Sequence, residues 1–125
     1  FRLAEMYLNY AEADARLNGG EVVDADAKAY VKKLRDRAGV ATPSDITLDW
    51  LLDERAREFM WEGHRRVDLI RFGKFTSSDF PWAYKGGIEN GSAQLSDHLK
   101  IYPLISSDLS VNKNLKQNPG YEQTK

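Results

Sequence analysis

The sequence contains no cysteine and only two histidines among its 125 residues. Without cysteine it has no disulfides, no thiolate metal site and no thiol nucleophile. Two histidines are too few for a histidine-rich metal centre, because zinc and iron sites usually take three or four protein ligands. We therefore expect no metal centre of these kinds, and no residue pattern indicates a cofactor.

An excess of positive charge and long hydrophobic runs are missing as well. The 18 Lys and Arg residues face 19 Asp and Glu residues, so the formal net charge is -1. Nucleic acid is not expected as a partner, since it is usually met by a clearly basic face. No apolar run approaches the roughly 18 residues of a membrane-spanning helix. With 42% hydrophobic and 30% charged residues, the composition is typical of one globular domain.

The first residues already follow a helical pattern, without an initiator methionine, capping residue or signal peptide before it. A natural N-terminus rarely begins inside an amphipathic helix. We therefore interpret residues 1–125 as a single C-terminal domain or fragment of a longer protein. Residues 1–73 form its helical part, and residues 74–125 form a loop and tail.

Two helices joined by a short turn are predicted over the first 38 residues. Apolar residues of the first helix recur every three or four positions, which indicates one buried face. They are Leu3, Met6, Tyr7, Tyr10, Ala13 and Leu17. Asp14 lies within this stripe and needs a partner. Asp24 caps the second helix, and helices joined by so short a turn pack as an antiparallel hairpin.

A third helix, capped by Thr47 and ending at about Glu62, carries charges within its apolar stripe. At about 100° per residue, Arg55 and Glu62 share the line of Leu51, Leu52 and Phe59. Charged side chains are rarely buried unless they are paired. We predict a semi-buried structural ion-pair network where this helix meets the next one, made of Arg55, Glu58, Glu62, Arg65, Asp68 and Arg71. Glu62→Ala should then destabilise the protein far more than Glu12→Ala.

The regular pattern fails from Lys74 to about Lys100, a stretch rich in glycine, serine and aromatic residues. Loops of this length are uncommon in compact domains and are often functional. Trp82 and Tyr84 are the candidate ligand-binding residues, because aromatic rings can stack on a sugar or an apolar ligand. Anchoring of the loop to its own domain is the alternative. The last residues favour turns and predict a tail held by Leu115 and Tyr121.

Catalytic and metal-binding alternatives have less support. Glu54, Glu58 and Glu62 are one helical turn apart, and glycoside hydrolases use two carboxyl groups roughly 5–10 Å apart, one with a raised pKa. The neighbouring arginines should instead keep these carboxylates ionised. His64 has metal-ligand spacing to Asp68, but packing of its ring at the bend is the simpler interpretation. We predict no catalytic residue and no metal ligand.

Several segments in this order resemble the C-terminal region of the SusD/RagB family. They are residues 2–13 (RLAEMYLNYAEA), 35–39 (RDRAG), 53–59 (DERAREF), 62–65 (EGHR), 68–73 (DLIRFG) and 114–121 (NLKQNPGY). Each segment alone has little specificity, whereas their order is specific. The match covers nearly the whole chain except the loop 74–97.

The resemblance implies a mainly α fold: an antiparallel, TPR-like helical hairpin plus a third helix, a long irregular loop and an extended C-terminal tail. It implies a surface-exposed lipoprotein of the Bacteroidetes outer membrane, whose lipid anchor lies outside this fragment. The implied ligand is an oligosaccharide or another nutrient, and the implied partner is a SusC-like TonB-dependent transporter. Sugar-binding aromatics of the family lie largely upstream, so none is carried onto this chain.

We therefore predict a non-enzymatic, glycan- or nutrient-binding component of an outer-membrane uptake system. A general helical-repeat module for protein–protein interaction is the alternative, and a glycoside hydrolase using Glu58 and Glu62 has less support. The long aromatic loop distinguishes the first prediction from the second, because a bare repeat scaffold would not need it.

Overall fold

The computed structural model describes residues 2–121 and forms five α-helices in that range. They are α1 (Leu3–Leu17), α2 (Ala25–Arg37), α3 (Leu48–Glu58), α4 (Arg65–Arg71) and α5 (Ser106–Val111). Two 3-10 turns, Lys85–Gly87 and Asp97–Lys100, lie within the long loop. The predicted mainly α fold is confirmed. The chain forms two compact units, one up to Asp68 and one from Leu69 onward.

In the first unit, α1 packs against both α2 and α3. The rings of Tyr7 and Tyr30 stack with centroids 4.6 Å apart and nearly parallel planes, and Tyr10 meets Tyr30 edge-on at 5.5 Å. The hydrophobic core is formed by Ala4, Leu8, Ala11, Ala15, Val22, Ala27, Val31, Leu34, Ile46, Leu51 and Phe59. Burial of these side chains, from the three helices and the segments that connect or follow them, is the main force that holds the unit together.

The side chain of Asp14, for which the sequence analysis expects a partner, stabilises the turn between α1 and α2. The Asp14 carboxylate accepts hydrogen bonds from the backbone N–H groups of Val23 and Asp24 at 2.7 and 3.0 Å. Asp24 in turn accepts one from Ala27 N–H at 2.8 Å, which confirms it as the cap of α2. The same turn pairs with the segment before α3, because Val22 N–H donates to the carbonyl oxygen of Ile46 at 2.9 Å.

The buried face of α1 differs from the predicted one. Small residues and one leucine, namely Ala4, Leu8, Ala11 and Ala15, face the core, together with the side chain of Glu12. The predicted stripe was wrong for Leu3, Met6, Tyr10, Ala13 and Leu17, which are exposed. Alanines let α2 and α3 approach the α1 backbone closely, so the close-packed side is the one with the smaller side chains.

The third helix ends earlier than predicted. Thr47 Oγ1 accepts from Trp50 N–H at 3.2 Å, as expected of a cap, but the helix stops at Glu58. Trp61 then adopts a left-handed backbone conformation with φ 67°. Glu62 is therefore no longer on the helical line through Arg55, and the assumption that placed it in the apolar stripe fails.

The second unit holds the long loop and the tail. The Tyr121 hydroxyl donates to the carbonyl oxygen of Ile101 at 2.7 Å, and its ring meets His98 edge-on at 4.7 Å. The Gln117 amide bonds both backbone groups of Leu104, at 2.7 and 2.9 Å. Tyr121 therefore holds the tail as predicted, whereas Leu115 is exposed and does not.

No helix within residues 2–121 combines the length and apolar character needed to cross a membrane.

Candidate functional site

The most buried charges of the first unit form one ion pair. Arg55 Nε lies 2.9 Å from Asp68 Oδ1, and the two side chains are only 4% and 2% exposed. Arg55 also donates from Nη1 to the Asn9 side-chain oxygen at 2.8 Å, and its guanidinium lies over the Phe59 ring at 5.1 Å. One side chain of α3 thus reaches Asn9 of α1 and Asp68 of α4.

Glu58 forms a second cluster at the end of α3. Its carboxylate accepts from Arg2 Nη1 at 2.7 Å and from Arg37 Nη2 at 2.6 Å. Arg2 also donates to the Glu58 carbonyl oxygen at 2.6 Å and to Glu62 at 2.9 Å. The ends of three helices therefore meet at one carboxylate, and the partners are arginines that the sequence prediction did not include.

Of the six predicted network residues, Arg55 and Asp68 are paired as expected, whereas Glu58 and Glu62 belong to the cluster around Arg2. Arg65 Nη1 donates to the Leu52 carbonyl oxygen at 2.9 Å, and its Nη2 lies 3.8 Å from Asp53. The Arg71 guanidinium lies over the ring of Phe72 at 5.4 Å. Because α3 ends before Glu62, this carboxylate meets Arg2, a residue that the predicted network did not include.

Glu62 and Glu12 exchange the roles that the sequence predicted for them. The Glu62 side chain is 38% exposed, whereas the Glu12 side chain is 6% exposed and pairs with Arg16 at 2.9 Å. Glu54 is also buried, and two arginines, Arg35 and Arg57, meet it at 3.1 and 2.8 Å. The signal that could have found the Glu12 and Glu54 pairs is the spacing of Glu12 to Arg16 and of Glu54 to Arg57 along their own helices.

The arginines keep the carboxylates of the Arg2 cluster ionised. Burial on its own would raise the pKa of Glu58, but the hydrogen bonds from Arg37 and Arg2 outweigh it, and the pKa is lower than its ordinary value of 4.5. The hydrogen bond from Arg2 lowers the pKa of Glu62 as well. A general acid of a glycosidase needs the opposite shift, so Glu58 and Glu62 are poorly suited to catalysis.

The long loop of the second unit is organised around a buried lysine, which sequence reasoning missed. Lys85 is 1% exposed, and its ammonium group donates to the carbonyl oxygens of Ser77 and Phe80, the latter at 3.1 Å. The same ammonium lies 4.5 Å from the centre of the Trp82 ring, and Trp82 stacks on Phe75 at 5.9 Å. Trp82 is therefore an internal contact of the loop, which supports the anchoring alternative for this residue.

Gly91 lies where the loop folds back onto Trp82. A Cβ atom at Gly91 would stand 1.8 Å from the Trp82 carbonyl oxygen, and the residue has φ 68°. Only glycine fits such a close approach in a left-handed conformation. The loop is therefore a packed structure in which Trp82 has a defined position.

Tyr84 is the residue that this loop presents outward. It is 69% exposed although it directly precedes buried Lys85. Its backbone is left-handed, with φ 61°. Such a conformation is unfavourable for a residue with a bulky side chain, and it is held here by the bonds around it, including Gly87 N–H to the Tyr84 carbonyl oxygen at 3.0 Å.

In the first unit, Trp61 likewise combines an exposed aromatic ring with a left-handed backbone. The sequence analysis did not identify this residue. It is 94% exposed and left-handed, and it borders a surface cavity of about 530 Å³. The other residues that line this cavity are Arg55, Ala56, Phe59, Met60, Gly63, Arg65 and Arg66.

The geometry around His64 does not support the metal site that its spacing to Asp68 raised as an alternative. The His64 ring packs on Phe59, with centroids 4.8 Å apart. Across residues 2–121, no three His, Cys, Asp or Glu side chains lie where they could hold a metal ion together.

The profile of the SusD family matches residues 1–121. The chain belongs to the SusD family. This membership confirms the resemblance that the ordered segments indicated.

Three individual proteins show how far the similarity extends. The starch-binding protein SusD of Bacteroides thetaiotaomicron is 45% identical over 98% of this chain and 21% of its own length. A SusD-like protein, P25, of Formosa agariphila is 35% identical over 97% of this chain and 24% of its own. Surface glycan-binding protein A from Bacteroides uniformis superposes with a TM-score of 0.75 and 31% identity, covering 94% of this chain and 26% of that protein.

The chain thus spans about a fifth to a quarter of the length of these relatives. The first and the third of these proteins are named for binding starch or glycan.

The buried ion pair gives a first prediction. Asp68→Ala should lower the free energy of unfolding by about 3–5 kcal/mol, because it strands the Arg55 charge away from water. Asp53→Ala, which removes a largely exposed carboxylate from the same unit, serves as the control. Urea unfolding followed by circular dichroism measures both variants, and equal midpoints would contradict a stabilising role for the buried pair.

A second prediction reverses the order expected from the sequence. Glu12→Ala should be more destabilising than Glu62→Ala, because Glu12 is the buried partner of its pair and Glu62 lies at the surface. Thermal melts of the two variants under one buffer condition test this order. A lower melting temperature for Glu62→Ala than for Glu12→Ala would show that the surface cluster matters more.

A third prediction concerns pH. A carboxylate with a lowered pKa in the folded state contributes stability that is fully present above its ordinary value of 4.5. That contribution is lost as the pH falls through the lowered value. The gain in stability between acid and neutral pH should therefore be smaller in Glu58→Gln than in the unsubstituted protein. Urea unfolding midpoints measured from pH 3 to pH 7 give this difference, and Glu89→Gln, in the exposed loop, is the control. If the midpoint of Glu58→Gln changes with pH in the same way as that of the unsubstituted protein, the prediction is refuted.

Proposed function

We propose that this chain is part of a glycan-binding component of an outer-membrane nutrient uptake system. The observation that carries the proposal is the 45% identity to a starch-binding protein over 98% of the chain. The likeness to a surface glycan-binding protein at a TM-score of 0.75 supports the same ligand class. The protein would be held at the cell surface by a lipid anchor outside this chain and would act with a SusC-like TonB-dependent transporter.

Within the chain, Tyr84 is the proposed ligand contact and Trp82 supports its position. An exposed aromatic ring can stack on the apolar face of a sugar, and Tyr84 has such a ring on a loop that is packed from within. Trp82, in contact with Phe75 and Lys85, keeps the loop in the shape that points Tyr84 outward. The strained backbone at Tyr84 is consistent with this role, because strain is often retained at functional sites.

The arginine–carboxylate pairs have a structural role in this proposal. Glu54, Glu58 and Asp68 each meet at least one arginine, and these contacts join the helices into a rigid support. The helical hairpin also fits a general interaction module, but such a module gives no reason for an ordered loop with an exposed tyrosine.

The fourth prediction tests the ligand contact in the full-length protein. Electrophoresis in gels containing starch or another glucan, pullulan, xylan or galactan should show retardation by at least one polysaccharide. Tyr84→Gly should weaken that binding by about twofold to thirteenfold, the size expected for one stacking contact of about 0.5–1.5 kcal/mol. Its melting temperature should not fall, since glycine accepts the left-handed conformation without strain.

Three controls make the result specific. Tyr84→Phe keeps the ring and should keep binding, and Tyr102→Gly removes another exposed tyrosine of the same unit and should have no effect. Trp61→Gly removes the exposed ring of the first unit and should also leave binding unchanged. Loss of binding in Trp61→Gly but not in Tyr84→Gly would contradict the assignment of Tyr84. Cleavage of the retained polysaccharide would contradict the non-enzymatic function.

A further inference from the structure

The cavity beside Trp61 lies where α3 ends and α4 begins, within the first unit. Its volume of about 530 Å³ falls within the roughly 300–1,000 Å³ that is typical of sites for small ligands. Trp61 borders it with a ring that is 94% exposed. The cavity therefore combines a suitable volume with a flat apolar surface on which a ring-shaped ligand can stack.

The backbone holds Trp61 in an unfavourable conformation. Within residues 2–121, the non-glycine residues with a left-handed backbone are Trp61 and Tyr84, and both are exposed aromatics. The turn that places Trp61 is closed by a hydrogen bond from Glu62 N–H to the Phe59 carbonyl oxygen at 3.0 Å. Strain of this kind is retained where the surrounding structure fixes it, and such positions are frequent at ligand sites.

The charged residues that line the cavity are all arginines, namely Arg55, Arg65 and Arg66. Arg55 belongs to the buried ion pair described above. Arg65 is oriented by its hydrogen bond to the Leu52 carbonyl oxygen at 2.9 Å, and its Nη2 lies 3.8 Å from the exposed Asp53 carboxylate. A guanidinium group has five N–H donors, so one that is fixed by a carbonyl oxygen can also bind an oxyanion.

The carboxylate next in sequence to Trp61 does not line the cavity. Glu62 pairs with Arg2 at 2.8 Å, and the lining residues include no acidic side chain. Arginine recognises carboxylates through paired N–H donors, which give strong, oriented contacts. An aromatic ring beside guanidinium groups therefore suits a ligand that has both an apolar ring face and a carboxylate.

We propose that this cavity binds a uronic acid residue of an acidic polysaccharide. Trp61 stacks on the sugar ring, and Arg65 and Arg66 contact the carboxylate. The choice of a saccharide rests on the proposed function, whereas the position of the site does not depend on Tyr84. The first unit thus adds a site for acidic glycans to the contact proposed for the loop of the second unit.

Electrophoresis of the full-length protein in gels that contain an acidic polysaccharide tests the proposal. The probes are polygalacturonate, alginate and hyaluronate, each compared with its carboxyl-reduced form, which has the same chain without the charge. At least one acidic probe should retard the protein, and its reduced form should bind about fivefold or more weakly. Retardation by the acidic probe should also decrease as the salt concentration is raised, because ions screen exposed charges.

Variants of the lining residues connect that binding to the cavity. Trp61→Gly and Arg66→Gln should each lower the affinity for the acidic probe by about fivefold. Glycine accepts the left-handed conformation, so Trp61→Gly should keep its melting temperature and is sufficient if Arg66→Gln does not fold. Trp61→Phe keeps a ring, Lys28→Gln removes an exposed positive charge from α2, and Tyr84→Gly alters the other unit, so all three should retain the binding.

Three results would overturn the proposal. The first is the absence of retardation by all three acidic probes while an uncharged polysaccharide still binds, a result that leaves the proposed function intact. The second is equal affinity of the unsubstituted protein and Trp61→Gly for the acidic probe, which would locate that binding elsewhere. The third is competition by polyglutamate as strong as that by an oligosaccharide of the same uronic acid, which would favour an acidic peptide as the ligand.

Discussion

The buried pair of Arg55 and Asp68 is the contact on which the first unit depends. Both charges lie almost completely out of water, so each needs the other to offset the cost of its desolvation. Arg55 also donates to Asn9 and lies over the Phe59 ring, so this one side chain of α3 contacts Asn9 of α1 as well as Asp68. Hydrophobic packing brings these helices together, and the arrangement they adopt places the two buried charges 2.9 Å apart.

A second feature follows from the same chemistry, namely that two carboxylates of α3 each meet two arginines. Glu58 forms ion pairs with Arg2 and Arg37, and Glu54 forms ion pairs with Arg35 and Arg57. Charge-assisted hydrogen bonds of this type stabilise the ionised form and make a carboxyl group a weak proton donor. The same carboxylates that could suggest a glycosidase in the sequence therefore connect helices through arginines.

The second unit divides its aromatic residues between support and presentation. Trp82 is held by Phe75 and by the ammonium group of Lys85, whereas Tyr84, two residues away, is exposed on a strained backbone. The buried ammonium group of Lys85 bonds carbonyl oxygens of Ser77 and Phe80, and so connects the 3-10 turn Lys85–Gly87 to the preceding part of the loop. An ordered loop is useful at a binding surface, since less conformational entropy is lost when a ligand binds.

The sequence by itself was sufficient for the family, the mainly α class, the caps at Asp24 and Thr47, the need of Asp14 for partners, and the pairing of Arg55 with a carboxylate. These features depend on neighbours within a few residues or on ordered motifs, which a linear pattern records. Only the tertiary structure decided which face of α1 is buried, that Arg2 and Arg37 meet Glu58, that Glu12 rather than Glu62 lies inside, and that Lys85 organises the loop. The physical reason is that α1 is apolar on two sides, and that a long arginine or lysine side chain can reach partners far away in sequence. Spacing along one helix cannot rank such faces or partners until the other helices are in place.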